Sequence, residues 1–76
     1  MDVRKLVRMA NQIAENFDYG RDEQQAVDNV LDHLRRFWTP DMKTLIVEYS
    51  QQQQNDLSQI AAIAVAGLEQ EQVNAV

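Results

Sequence analysis

DHLRRFWTPDMK, residues 32–43, decides how the chain is read, because it holds the only Trp, the only His and the only Pro of a 76-residue protein. Proline disfavours the helical conformation for the residue before it, yet it suits the first turn of a new helix, where its missing N–H is no loss. Pro40 therefore predicts that one helix ends near Trp38 and that another begins at once, with the Thr39 hydroxyl as its cap. The tetrapeptide WTPD (38–41) reads as a corner between two helices.

Working back from that corner, Ala26, Val27, Val30, Leu31, Leu34, Phe37 and Trp38 recur at steps of three and four, the period of one helical face. Asp22 stands three residues before Gln25 in a capping-box spacing, so the second helix is expected over 22–38. Before it, Val3, Leu6, Val7, Ala10, Ile13, Ala14 and Phe17 mark a first helix over 2–18. Asp2 is its expected cap, and Gly20 is its expected left-handed terminator.

Forward of the corner, Met42, Leu45, Ile46 and Tyr49 point a third helix inward over 40–53. It runs into a glutamine tract at 51–54 that has no apolar period and reads equally as helix or linker. Asp56 with Gln59 repeats the capping-box spacing, and Leu57, Ile60, Ala61, Ala64 and Leu68 give a fourth helix, over 56–70, a narrow Ala-rich face. The polar tail 71–76 is expected to fray. No strand alternation appears, so the fold class is all-α: a small bundle of about four helices joined by short turns, forming one domain over 1–76.

Such a chain is short of core. At this length only about 60% of the unfolded surface is buried, and the usual remedies are disulfides, a structural metal or association. With no Cys and one His, association is the remedy left. The opening MDVRKLVRMANQ is charged and lacks an apolar h-region, so no signal peptide is read and the expected compartment is the cytoplasm. The longest apolar run, IAAIAVAGL (60–68), falls well short of the roughly 20 residues that cross a bilayer. A net charge of −5, from 12 acidic against 7 basic residues, opposes the phosphate attraction behind nucleic-acid binding.

Catalysis finds little support. A nucleophile needs a base beside it and a third group to orient that base, but Ser50 and Ser58 have no such company and His33 is the sole imidazole. Asp28, Asp32 and His33 suggest a metal only briefly, since His33 is turned about 100° from Asp32 on a helix. His33 reads instead as a packing neighbour of Phe37, one turn on. Gly20 and Gly67 are too far apart to make a phosphate loop. No catalytic, cofactor-binding or metal-binding residue is expected.

Binding is better supported. Phe37 and Trp38 are adjacent, so they cannot both lie at the centre of one narrow stripe. Either both close the end of a small core, or Trp38 is an anchor for a partner. Arg35 and Arg36 suit the end of their helix, whereas Arg4, Lys5 and Arg8 occupy the first two turns of theirs, where the dipole disfavours cations by up to about 1 kcal/mol each. Arg4, Arg8, Asn11 and Glu15 form a polar stripe, with Gln12 beside it, that reads as a solvated face or as a docking stripe for acidic groups. The candidate partner-binding residues are thus Arg4, Arg8, Asn11, Gln12, Phe37 and Trp38.

Three blocks, LVRMANQIAENF (6–17), DHLRRFWTPDMK (32–43) and DLSQIAAIAVAGL (56–68), resemble in order and spacing the delta subunit of soluble NAD-dependent, molybdenum-containing formate dehydrogenases. The first two blocks are the specific ones; the third matches as an Ala-rich helix. The glutamine tract and the tail depart from the family pattern. The resemblance implies a small accessory subunit that supports assembly or stability of a complex, docking on the large catalytic subunit. The molybdenum cofactor, iron–sulfur clusters and flavin would belong to the other subunits, with none in this chain. The alternative from composition alone is a free-standing homo-oligomeric helical module with an interaction or regulatory role.

Overall fold

The computed structural model describes residues 2–18 and 22–74, and among them every regular element is helical. The order is α1 (Val3–Phe17), α2 (Glu23–Phe37), α3 (Pro40–Ser50) and α4 (Gln59–Asn74). The Cα atoms span 32 × 27 × 23 Å. The expected all-α bundle of four helices is what forms.

Each helix start has a chemical cause. Asp2 accepts a hydrogen bond from the Arg4 N–H, and Asp22 accepts from the N–H groups of Gln24 and Gln25. These carboxylates satisfy donors that no preceding turn can reach, and they favour the positive end of the helix. The reciprocal arm of the expected capping box is not made, because the Gln25 amide reaches forward to Asn29 instead. Gly20, the expected terminator of the first helix, lies outside the described residues.

The corner forms as its sequence predicts. The Thr39 hydroxyl accepts from the Met42 N–H while Pro40 occupies the first turn of α3. On the other side the Lys43 ammonium donates to the Arg35 carbonyl, closing the end of α2. Trp38 has extended backbone, with φ −90° and ψ 140°. It has left the helix, and its ring turns into the core.

Two boundaries differ from expectation. Helix α3 stops at Ser50 rather than 53, and α4 starts at Gln59 rather than 56. Ser58, not Asp56, caps α4: its hydroxyl accepts from the Ala61 N–H and its carbonyl from the Ala62 N–H. Asp56 cannot cap because its backbone is held elsewhere; its N–H donates to the Tyr49 hydroxyl, and its carbonyl accepts from the Asn11 side chain. Asn55 braces the same connection, its amide donating to the carbonyls of Ser50 and Gln52. At the far end α4 continues through Asn74, where a fraying tail was expected from 71.

The core draws on all four helices: Leu6, Val7, Ala10 and Ala14; Ala26, Val27, Val30 and Leu34, with Trp38 after them; Ile46 and Val47; and Ala61, Ala64, Val65 and Leu68. Val47 and Val65 join the expected core residues. Phe37 leaves them, at 70% exposure.

Helices α2 and α4 run side by side in the same direction. Gln59 donates to Glu23, Gly67 faces Leu31, and Glu71 meets Arg35, each pair separated by 36 positions. The small side chains of α4 allow the close approach. A Cβ added at Gly67 would stand 3.0 Å from a Leu31 methyl, so this glycine, unfavourable in a helix interior, has a packing reason. Replacing Gly67 by Leu should cost about 1–3 kcal/mol through overpacking; a melting temperature equal to wild type would contradict this registry.

Arg35 and Glu71 close the same seam, the guanidinium Nε donating to the carboxylate at 3.1 Å with a second, shorter bond beside it. The hydrogen bond from Arg35 holds the Glu71 carboxyl below its ordinary range, and Glu71 in turn raises Arg35. A lowered acid contributes fully above the ordinary carboxylate pKa of about 4.3, and the contribution is lost as pH falls through the lowered folded value. Helical signal should therefore fall in that acid window, and the decline should be smaller in Glu71→Gln. Identical pH profiles for the two chains would contradict the contribution.

Candidate docking surface

The six residues expected to meet a partner separate once the chain folds. Trp38 is 5% exposed and packs within the hydrophobic cluster, the core placement that was one of its two readings. The physical reason is the corner: the chain leaves the helix at Trp38, and the side chain enters the core. Phe37, still helical, remains outside.

Asn11 also turns out to serve the fold. Its side-chain nitrogen donates to the Asp56 carbonyl and its oxygen accepts from the Ser58 N–H, each at 2.8 Å. One amide thus pins the approach to α4 against the middle of α1. Gln12 is exposed and donates to Asn16 at 3.4 Å, a marginal bond. Arg4 is 85% exposed and only 3.9 Å from Asp2, a pair worth little. Arg8 and its neighbour Lys5 are exposed and make no ion pair among the described residues.

The chemistry-bearing side chains are accounted for by local structure. Ser50 donates to the Val47 carbonyl, and Ser58 caps α4. Asp28 accepts from Gln24, and Asp32 pairs with both Arg35 and Arg36. Among the described residues no group of three His, Cys, Asp or Glu is placed to hold a metal ion, and the sequence has no Cys for thiolate ligation.

A groove of about 420 Å³ lies where α1 meets the starts of α2 and α4, lined by Glu15, Asp18, Asp22 and Glu23 above Ala14 and Ile60. Asp22 is committed to capping and Glu23 bonds Gln59. These carboxylates sit near two helix N-termini, where the dipole favours them.

Phe37 and Ile63 are the exposed large apolar side chains among the described residues, and Phe37 belongs to a ring cluster. His33 lies between two phenylalanines, 4.8 Å from the Phe37 ring and 6.4 Å from the Phe17 ring in edge contact. The spacing of His33 and Phe37 shows in the sequence; the join to Phe17, across two helices, does not.

Fold and surface together define a small all-α module that presents aromatic and cationic side chains outward. Residues 5–65 match the family described as the NADH-dependent formate dehydrogenase delta subunit, FdsD, and the chain belongs to that family. No curated protein and no solved structure matches it. No helix among the described residues is long and apolar enough to cross a membrane.

The adjacent aromatics should behave oppositely on truncation. Trp38→Ala should cost about 3–5 kcal/mol as a core cavity, and Phe37→Ala should stay within about 0.5 kcal/mol of wild type. Urea unfolding of the two variants checks this, and equal losses would contradict the placement.

Proposed function

We propose that the chain is an accessory subunit of an NAD-dependent formate dehydrogenase complex, catalysing no step itself and supporting assembly or stability by docking on other subunits, the large catalytic one first. The observation that carries this reading is the family match over residues 5–65. The geometry supports it: the catalytic-type side chains are spent on caps and helix pairs, while Phe37 and the cations of α1 face outward. The molybdenum cofactor, iron–sulfur clusters and flavin then reside in the partner subunits, and this chain works in the cytoplasm beside them, without membrane or nucleic acid.

A 76-residue chain has limited core with which to stabilise itself, and a subunit interface supplies further burial. Binding to the assembled form of a partner shifts that partner toward assembly by mass action. The test is to produce the dehydrogenase subunits with and without this chain, then measure complex mass and molybdenum content. Omission should lower the yield of complete complex or its molybdenum loading. An unchanged complex, with the chain forming only assemblies of its own, would overturn the accessory role.

A further inference from the structure

Met9, Ile13 and Phe17 follow one another at steps of four on α1, so they share one flank of the helix. All three are half-buried and pack against the core from its edge. Phe17 meets His33, and His33 meets Phe37, so this flank continues across the helix junction onto α2 and ends at a ring that is 70% exposed. The result is an unbroken apolar and aromatic strip shared by two helices.

The border of the strip carries the opposite sign to the protein as a whole. Lys5 stands one turn before Met9 on the same side, and Arg8 follows Lys5 by three positions on the adjoining row. Neither makes an ion pair among the described residues, although the chain has 12 carboxylates. Both lie in the first two turns of α1, where the dipole opposes them. Of the groove carboxylates, Asp18 belongs to the other flank of α1, and Glu15 lies two turns beyond Arg8 on the polar stripe.

Resting on the accessory-subunit reading, we infer that the strip formed by Met9, Ile13, Phe17, His33 and Phe37, bordered by Lys5 and Arg8, is the docking surface for an amphipathic, acid-bearing segment of a partner polypeptide. Its apolar side chains lie along the strip, and its carboxylates meet the two cations. Aromatic anchors supply most of the affinity of such contacts, and complementary charge at the border sets encounter rate and register. A second copy of this chain is a poorer occupant. An isologous contact places strip on strip, and the strip has no carboxylates of its own to answer Lys5 and Arg8.

The experiment measures affinity of the full chain for the other formate dehydrogenase subunits, using wild type, Phe37→Glu, the double variant Lys5→Glu with Arg8→Glu, and Glu48→Lys on α3 as control. These positions are exposed, and melting temperatures confirm that each variant folds. Phe37→Glu and the double variant should each weaken binding about tenfold or more, the double variant's loss shrinking at high ionic strength, while Glu48→Lys binds as wild type. Wild type retained with every variant retained equally would overturn the strip and leave the accessory role standing. Wild type not retained would overturn the accessory role itself. Self-association abolished by Phe37→Glu would assign the strip to a second copy and overturn the inference.

Discussion

The corner at Thr39 and Pro40 is the constraint from which the rest of the molecule follows. Proline ends α2 by excluding its predecessor from helical geometry and starts α3 with a fixed φ. Because the chain leaves the helix at Trp38, two neighbouring aromatics are separated into different environments. The larger ring closes the core, and the smaller one stays in solvent. Lys43, one turn into α3, caps α2 from the far side, so the corner is held by both helices that it joins.

Beyond the corner, two amides and a phenol fix the next connection. Asn11, Asn55 and Tyr49 hold the connection between α3 and α4 through its backbone. This positions α4 so that its alanines and Gly67 pack closely along α2. Small residues and a fixed offset of 36 positions replace the large interlocking side chains that a bigger domain would use. This close approach of α4 to α2 adds to the core that all four helices share.

How far this was legible in the sequence depends on the range of the interaction. The periods of α1 and α2, the Asp and Thr caps and the WTPD corner are local, and they read correctly because each involves residues within one or two turns. Val47 and Val65 escaped because α3 and α4 have weak amphipathic periods. Asn11 escaped for a different reason: a mid-helix amide looks like a surface residue until its partners, 45 and 47 positions away, are brought to it. Asp56 lost the cap of α4 to Ser58 for the same reason, its backbone being claimed from a distance. The strip was not legible: Ile13 and Phe17 read as core, Met9 carried no signal, and the contact of Phe17 with His33 that joins the two helices is long-range. Family membership had a local signature too, since the corner lies in one of the two specific blocks.

The division of labour between Phe37 and Trp38 is therefore the claim on which fold and function both turn, and the single Trp reports on it directly. Acrylamide quenching of intrinsic fluorescence in the folded, isolated chain is the decisive measurement. The folded chain should give blue-shifted emission that resists the quencher until it unfolds. Emission typical of a solvated indole, quenched readily in the folded state, would contradict it.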